Sequence, residues 1–418
     1  MIHFRIKAGA LYYVTGIAAI IALLLVSFIT LNRLQQLSST QSSNFKETIY
    51  TNQQSFRLLQ HTDIDYQKPV VIESPTNASL QTTLLKKHWG VFDVLLASSQ
   101  LKNEHFKSAA LVGITNEYRN GLYLSDHKKP LVVVGTTRIE GNAKLPQKGM
   151  KTGTIGGQNY YNQKLLYGRG TVSTQNLPKL KNRDYLQQIT NEILSEEVNF
   201  EYWGAQTRKP LSFWQATKIV YAQGSVDLEE ISLSGNYIVQ SENRIRVFKT
   251  SKLKDVILIA PIIEILDGVQ GNFQAFASRE LTVGKNCRLQ YPTALVFCEG
   301  ASQSPMIHKN LPNMQIQEGT SIQGALVYIS DEGNNSHRAQ LKLHANVMLE
   351  GELYCERNLD SEAVIHGTVY TDAFVAEQFG AVYQNHLYNC SINAELLPAE
   401  YAGLFIESQE TNIVKWLY

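Results

Sequence analysis

The sequence predicts a mainly β protein, with an N-terminal transmembrane helix and helical stalk followed by a parallel β-helix (solenoid) that carries a helical insertion. Three observations indicate this architecture. The N-terminus contains a long uncharged apolar run. Residues 225–390 repeat a short aliphatic pattern that glycine and asparagine interrupt. Charged residues make up only 18% of the chain whereas tyrosine occurs 21 times, a composition that suits sheet surfaces better than solvated helices.

Composition excludes several classes of protein. A hydrophobic content of 44% with 11 prolines among 418 residues is incompatible with a disordered or collagen-like chain, because such chains bury too little apolar surface to offset their ordering entropy. Lys and Arg number 38 against 37 Asp and Glu, so the net charge of +1 gives no overall basic field for a phosphate backbone. We therefore expect no nucleic-acid partner.

The N-terminal segment predicts a membrane anchor. Residues 8–32 carry no charge, and at ~1.5 Å per residue they span a hydrocarbon core of ~30 Å. Arg5 and Lys7 precede this span and only Arg33 follows closely. This asymmetry favours a single-pass protein of the inner membrane with its C-terminal region in the periplasm. A cleaved secretory signal is the alternative, but the run is longer than an ordinary signal and no small-x-small site follows it.

A helical stalk is expected to prolong the anchor. The apolar residues that recur there at helical spacing are Leu34, Leu37, Phe45, Ile49, Phe56 and Leu59. The polar residues 38–43 are also typical of a flexible linker, which is the alternative. A hydrophobic helix that runs into an amphipathic one resembles the start of type IV pilins and pseudopilins. Most pilins carry a glutamate a few residues into the apolar segment, and residues 10–15 contain none.

The body is predicted from its internal periodicity. Aliphatic residues six apart flank a central Gly or Asn in residues 283–289, 316–322 and 343–349, and a related copy occupies 247–253. The starts at positions 247, 265 and 283 are 18 residues apart, which corresponds to three sides of six residues. Stacked coils of a parallel β-helix explain this period, because inward aliphatic residues then lie on the coil below.

Glycine is expected at the left-handed corners of these coils, where a Cβ atom would be strained. The alternative fold is a sandwich of hairpins, which is disfavoured because two-residue turns such as Asp267-Gly268 are scarce. The 18-residue step breaks at residues 301–314 and 331–339, where we expect loops that leave the coils. The predicted corner residues are Gly235, Gly268, Gly319, Gly324, Gly351 and Gly367.

The chain divides into five predicted segments. Residues 1–60 form a cytoplasmic tip, the transmembrane helix and the stalk, and 61–130 form a membrane-proximal, strand-rich region. Residues 131–224 contain early β coils with the helical insertion, 225–390 the main β-helix, and 391–418 a C-terminal cap. The inserted helix is predicted after Asp184, a candidate N-cap, from apolar residues at helical spacing, namely Leu186, Ile189, Ile193 and Leu194.

Patterns typical of a metal or cofactor site are missing from the sequence. The four cysteines have no C-x-x-C spacing and no paired histidines at short offsets, so we predict no metal site. They are expected as buried small hydrophobes or as disulfide partners in an oxidising compartment. Residues 153–157 lack the Gly-Lys-Ser/Thr ending of a phosphate loop and the full dinucleotide fingerprint, so we predict no cofactor. The cysteines are Cys287, Cys298, Cys355 and Cys390.

Solenoids also include polysaccharide lyases and hydrolases, whose acidic residues converge on an outer face. The residues considered for such a group are Glu350, Glu352, His366 and Asp372. We favour a solubilising role for the two glutamates, because they flank a predicted corner glycine, and we predict no catalytic residue. The predicted partner-binding residues are those of an aromatic loop, Tyr160, Tyr161 and Tyr167.

The coil pattern Val283-Gly-Lys-Asn286 and Ile316-Gln-Glu-Gly319, followed by Ile322-x-Gly324, resembles the bactofilin-type polymer-forming β-helix proteins of bacteria over residues 230–375. The whole arrangement is similar to membrane-anchored proteins that accompany pilus-like or type II secretion-like systems in Gram-negative bacteria. These resemblances imply a non-catalytic envelope protein whose solenoid is a structural or docking module. Its expected partners are the membrane, other envelope proteins and further copies of itself. A carbohydrate-active β-helix enzyme is the alternative.

Overall fold

The computed structural model describes residues 9–58, 64–74, 77, 79–115, 119–192, 200–204, 208–299, 311–331, 336–406 and 410–417. The chain forms two compact units. The first unit comprises Met1–Leu58, Pro69–Leu84 and Ala97–Lys107, and the second comprises Leu59–Lys68, Leu85–Leu96 and Ser108–Tyr418.

Most of the described chain is strand. The elements are α1 (Gly9–Leu58), β1 (Val70–Glu73), β2 (Leu80–Trp89), β3 (Phe92–Leu101), β4 (Glu104–Ile114), β5 (Asn120–Leu124), β6 (Leu131–Val134), β7 (Arg138–Glu140), β8 (Asn142–Leu145), β9 (Met150–Thr152), β10 (Thr154–Ile155), β11 (Gln158–Asn159), β12 (Gly170–Val172), α2 (Arg183–Asn191), β13 (Phe200–Tyr202), β14 (Lys218–Ala222), β15 (Val226–Leu228), β16 (Ser232–Ser234), β17 (Tyr237–Ser241), β18 (Arg244–Val247), β19 (Lys252–Ile265), β20 (Gln270–Val283), β21 (Arg288–Cys298), β22 (Met314–Ile316), β23 (Ser321–Ile329), β24 (Leu341–Leu343), β25 (Met348–Ser361), β26 (Val364–Gln378), β27 (Ala381–Gln384), β28 (His386–Tyr388), β29 (Ser391–Asn393), a short 3-10 helix (Ala394–Leu396) and β30 (Thr411–Leu417).

The first unit is built on one continuous helix. Helix α1 extends over 50 residues, so the predicted helical stalk is confirmed and the flexible-linker alternative is wrong. Of the residues expected to form its apolar face, Phe56 is buried while Leu34, Leu37 and Phe45 are exposed, and the other buried residues are the polar Thr48, Asn52 and Ser55. The amide of Asn52 donates to the carbonyl oxygen of Ala97 at 3.0 Å and to the hydroxyl of Ser99 at 3.1 Å. This face therefore packs through hydrogen bonds, which a search for apolar periodicity does not detect.

Antiparallel strands follow the helix. Strands β1 and β2 form one antiparallel pair and strands β4 and β30 form another. In the first unit β1 is antiparallel to β2, with Val70 opposite Leu84. In the second unit β30 is antiparallel to β4, with Thr411 opposite Ile114. Residues 61–130 were expected to be strand-rich, and strands β2, β3 and β4 there have 10, 10 and 11 residues.

The second unit contains a closed, predominantly parallel sheet. Its register confirms the predicted stacking of aliphatic residues, because the first aliphatic residue of each repeat is a direct neighbour of its equivalent on the adjacent strand, whether the step is 18 residues or contains a loop. The column consists of Val247, Ile265, Val283, Ile316 and Leu343. All five side chains are buried, and each covers the one below it. The Asp267-Gly268 turn does not tie an antiparallel hairpin, since the flanking strands β19 and β20 are parallel.

Two strand pairings were not predicted from the sequence. The last strands of the main block pair with strands from early in the chain, with Val369 of β26 beside Leu122 of β5 and Ile392 of β29 beside Ile139 of β7. The early strands β5 and β7 therefore pair with the late strands β26 and β29. Much of the loop regions expected at 301–314 and 331–339 lies outside the described residues.

Helix α2 is the predicted insertion, with corrected boundaries. It begins at Arg183, and Asp184 lies in its first turn, so the assignment of Asp184 as the N-cap is wrong. The N-cap position is Asn182, whose amide donates to the carbonyl oxygen of Val91 at 3.0 Å. Leu186 and Ile189 are buried, as expected of a packed helix face. The other two predicted members, Ile193 and Leu194, lie outside the described residues.

Three of the predicted corner glycines form a ladder inside the strands. Gly324, Gly351 and Gly367 are direct neighbours on β23, β25 and β26, with φ angles of 142°, 148° and 151°. A Cβ atom on Gly351 would fall on the carbonyl oxygen of Gly324, and one on Gly367 would fall on that of Gly351. These glycines lie within the assigned strands and permit close backbone approach.

The tight turns are formed by the central Gly or Asn of the six-residue repeat. Gly268 and Gly319 have φ angles of 73° and 74°, and the stacked equivalents Asn286 and Asn346 have 55° and 61°. This is the left-handed conformation that glycine and asparagine adopt at least cost. Gly235 has a φ angle of 91° and approaches the backbone of Leu211 closely.

The two kinds of glycine should respond differently to substitution. Gly268→Ala meets no atom and carries only backbone strain, so it should lower the free energy of unfolding by about 1–2 kcal/mol. Gly351→Ala adds a clash with backbone that has no room to move, and should cost more than about 4 kcal/mol. Denaturant unfolding of both variants measures the difference. Equal losses would contradict the close approach of the strands.

Candidate functional site

The predicted aromatic loop lies in the second unit and is held against a neighbouring coil. The backbone N–H of Tyr161 donates to the carbonyl oxygen of Gly135 at 3.0 Å. The amide of Asn162 donates to the carbonyl oxygen of Thr137 at 2.8 Å. The loop is therefore fixed at the corner formed by residues 135–137.

The three tyrosines differ in exposure. The hydroxyl of Tyr160 donates to the carbonyl oxygen of Lys164 at 2.6 Å, and its ring packs against the core. The guanidinium of Arg138 lies 4.1 Å from the centre of the Tyr167 ring, a cation–π contact. Tyr161 is 67% exposed. Of the three, Tyr161 therefore offers the most surface to a partner, while the other two build the loop.

The four residues considered for a catalytic group do not converge. Glu350 and His366 are neighbours on adjacent strands. Asp372 pairs with His127, with the two side chains 2.9 Å apart, and this carboxylate holds the pKa of His127 above its ordinary value. Glu352 is only 7% exposed, so the prediction that it solubilises an exposed corner is wrong.

Glu352 instead fastens the C-terminal segment to the stack. Its carboxylate accepts the backbone N–H of Leu404 at 2.6 Å. The Cβ atom that Gly403 lacks would collide with that carboxylate, so glycine is required there. The hydroxyl of Tyr401 donates to the carbonyl oxygen of Gly324 at 3.0 Å, and that of Tyr291 donates to Ala402 at 2.7 Å.

Arg119 also binds this segment, and we call the contacts of Arg119, Tyr291 and Glu352 with residues 398–404 the latch. Its guanidinium donates to the carbonyl oxygens of Pro398 and Tyr401, both at 2.6 Å. Despite this nearby cation, burial raises the pKa of Glu352 from its ordinary 4.5 to about 7. The buried carboxyl is therefore close to half-protonated at neutral pH. The sequence carries no sign of this, because the latch partners come from residues 119, 291 and 401–404.

A second acidic cluster was also missed by sequence reasoning. Arg183 binds both carboxylate oxygens of Glu356, at 3.1 and 3.0 Å, and Arg357 binds Glu299 at 2.8 Å. The backbone N–H of Ser330 donates to Glu356 at 2.9 Å, and its hydroxyl bonds to Glu299. Each glutamate is thus paired with its own arginine. Such a pair holds elements in place, here α2 against the stack.

The cysteines are buried and free. Burial raises the pKa of the Cys298 thiol to about 12, and it also raises those of the other three. Thiols in this state are poor nucleophiles and poor metal ligands. In the ranges that the structure describes, no group of three or more His, Cys, Asp or Glu side chains is placed to hold a metal ion.

The first half of α1 is the other candidate site. All the large apolar side chains between Leu11 and Leu37 are exposed, among them Leu23 and Leu24. The helix is long and apolar enough to cross a membrane, by length and composition. A membrane anchor and a signal sequence share these properties.

Comparisons with known proteins add little. No protein-family model matches the chain, so the bactofilin-type resemblance has no family match. No curated protein matches it. Among solved structures, the crystal structure of the competence-associated pilin ComZ from Thermus thermophilus aligns with 90% of this chain and 97% of that chain, at 11% identity and a TM-score of 0.23. A likeness this low carries no functional argument.

The latch predicts a particular pH dependence. The raised pKa of Glu352 means that the folded state binds its proton more tightly than the unfolded chain. Its contribution to stability is therefore full below pH 4.5 and is lost as the pH rises to about 7, by a few kcal/mol. Glu352→Gln keeps an acceptor for the N–H of Leu404 but cannot titrate. Its free energy of unfolding should therefore fall less with rising pH, and it should be more stable than the wild type at pH 8.

Denaturant unfolding between pH 5 and 8 measures this effect. Glu350→Gln is the matched control, since Glu350 lies two residues away and is half-buried, and it should keep the wild-type profile. Parallel profiles for Glu352→Gln and the wild type would contradict the buried latch.

Proposed function

We propose that this chain is a single-pass protein of the inner membrane whose C-terminal region lies in the periplasm and serves as a non-catalytic docking module. One observation carries the proposal. The apolar half of α1 is exposed along its whole length, whereas the distal half packs through Thr48, Asn52 and Phe56 within the first unit. An exposed uncharged helix of this length is stable only where lipid or other apolar helices cover it.

The docking module would be a parallel β-helix. Three columns of in-register parallel pairs support this interpretation, one through Val239 and Leu258, one through Ile245 and Ile263, and one through Leu253 and Gly271. Three columns correspond to three faces of a coil. A stack of this kind is rigid, because every coil is bonded to both neighbours and buries its inward side chains against them.

A structural role agrees with the arrangement of acidic residues. Glu352 is committed to the C-terminal latch, and Glu299 and Glu356 are committed to arginines. General acid–base chemistry needs a group that can reach substrate and exchange its proton there. We therefore favour docking over the carbohydrate-active alternative.

The chain is further proposed to be a component of a pilus-like or secretion assembly. In the first unit, the distal half of α1 hydrogen-bonds to strand residues, while the proximal half is bare. This division resembles that of pilin-type subunits, in which the bare half is covered by membrane or by neighbouring helices. The expected partners are the membrane, other envelope proteins and further copies of the chain.

Charge placed in the apolar half of α1 should abolish anchoring. Leu23→Arg with Leu24→Arg should shift the protein out of alkaline-washed membranes, because each buried arginine costs about 2.5–3.5 kcal/mol. Leu34→Arg with Leu37→Arg is the matched control. These residues are exposed on the same helix but lie beyond the uncharged run, so the control should stay membrane-bound.

Orientation is tested on the same preparations. Protease added to spheroplasts should degrade the wild-type C-terminal region. Protection of that region, or equal release of both double variants, would contradict the proposed anchor.

A further inference from the structure

The early coils carry a local excess of positive charge that the whole-chain value conceals. Between residues 121 and 182 Lys and Arg occur ten times, and the acidic residues there are Asp126 and Glu140. Residues 336–406, in contrast, contain nine Asp and Glu against three Lys and Arg. The net charge of +1, which argues against a nucleic-acid partner, is an average over these opposite regions. We call residues 121–182 the basic coils.

Parallel pairing gathers the basic coils into one part of the stack. Strand β8 lies between β5 and β12, and β9 pairs with β6. All three residues of β12 are exposed, as are Lys151 and Thr152 of β9. The early strands that carry these cations therefore lie beside one another, with β5, β8 and β12 in one sheet and β6 and β9 in another.

One corner of the basic coils presents lysines from successive coils. The backbone N–H of Leu131 donates to the carbonyl oxygen of Gly149 at 2.9 Å. This bond sets the turn that holds Lys148 beside the bend that holds Lys128 and Lys129, at the ~5 Å spacing of neighbouring strands. The three lysines are exposed, and in the part of the chain that the structure describes none of them has a carboxylate within ion-pair distance.

A second corner joins cations to an exposed aromatic ring. It is the aromatic loop, where Arg138 covers the Tyr167 ring and Lys164 and Arg169 are exposed. Tyr161 projects from this loop, while its backbone is bonded to Gly135. A ring on an anchored backbone loses little freedom when it stacks on a ligand.

We propose that the basic coils bind the phosphate backbone of single-stranded nucleic acid, with Tyr161 stacking on an unpaired base. Grooves or faces that combine a row of cations with an aromatic platform are the common design of single-strand binding sites, since each neutralised phosphate releases counterions and every base has a face to stack on. The exposed carboxylates of Glu395 and Glu400, outside the basic coils, repel the same ligand. This inference names a partner class for the proposed docking module and does not depend on the membrane anchor.

The test uses the full chain in a non-ionic detergent and a fluorescent oligothymidylate of about 30 nucleotides, long enough for a site of this type. Binding is followed by fluorescence anisotropy over a range of salt concentrations. The test variant reverses four lysines of the basic coils, Lys128→Glu, Lys129→Glu, Lys148→Glu and Lys164→Glu. The control variant reverses four exposed lysines elsewhere in the second unit, Lys209→Glu, Lys218→Glu, Lys249→Glu and Lys252→Glu, with the same change in net charge.

The wild type should bind with an affinity that falls steeply with salt. The test variant should lose at least about 100-fold in affinity at low salt. Each phosphate contact contributes ~0.7 to the slope of log K against log salt, so the loss of four contacts should make that slope shallower by about 3. The control should change by less than about tenfold, because it alters only the long-range field. Tyr161→Leu should weaken binding to the single strand about fivefold or more and leave binding to a duplex of the same length unchanged.

Several outcomes would overturn the proposal. They are no binding by the wild type, equal losses in the test and control variants, or tighter binding to heparin or to vesicles containing phosphatidylglycerol than to the oligonucleotide. The last result would assign the basic coils to an anionic polysaccharide or a lipid surface. Membrane fractionation of the same variants separates these failures from failure of the anchor, since none of the substituted residues lies in α1.

Discussion

The close approach of backbones at Gly324, Gly351 and Gly367 is the constraint on which the parallel stack depends. Because no Cβ atom fits between these strands, neighbouring coils have one register in which they meet. That register places Ile322, Leu349 and Ile365 inside the stack, directly above one another. A side chain at any of these positions would separate the strands and disrupt both the hydrogen-bond ladder and the aliphatic column.

The same ladder fixes what lies on the outside. Gln323 and Glu350 are brought side by side, and the amide donates to the carboxylate at 2.9 Å. The carbonyl oxygen of Gly324 is left accessible to the Tyr401 hydroxyl, so the C-terminal segment attaches where the strands are closest. Glu352, in register with Ala325, then binds the N–H of Leu404. A backbone constraint thus determines the position of a buried titratable group.

Chain order and spatial order differ in this fold, and the difference arranges its charge. Strands β5, β6 and β7 precede α2 in the chain but pair with β26, β28 and β29, which lie far beyond it in the chain. The contact between Val369 and Leu122 joins residues distant in sequence, so the cost of closing that long loop is met late. This pairing of early with late strands brings residues 336–406, which include nine acidic residues, next to the basic coils. At this junction His127 of the basic coils pairs with Asp372 of β26.

The sequence predicts the repeated interior better than the surface. The six-residue spacing of Val283 and Leu289 reports burial directly, because inward positions tolerate only aliphatic side chains. The spacing does not distinguish Glu350 from Glu352, because Glu352 is buried by the C-terminal segment around Leu404, some fifty residues later. Asn52 was missed for a related reason, as a polar residue at a helix–strand interface has no apolar signature. The charge excess of the basic coils is visible in the sequence, but only once the folded register shows which residues belong together.

The order of strands is tested most directly by a disulfide across the junction of early and late coils. Ser391 and Arg138 are in-register neighbours, and the ~5 Å between adjacent strands lies within the range that a disulfide spans. Arg138→Cys with Ser391→Cys should form an intramolecular disulfide on mild oxidation, visible as a mobility shift without reductant. Arg138→Cys with Ser321→Cys, four strands apart in the same column and therefore separated by ~19 Å, should stay reduced. Cross-linking in the second pair, or none in the first, would contradict the stacking of the early coils on the last one.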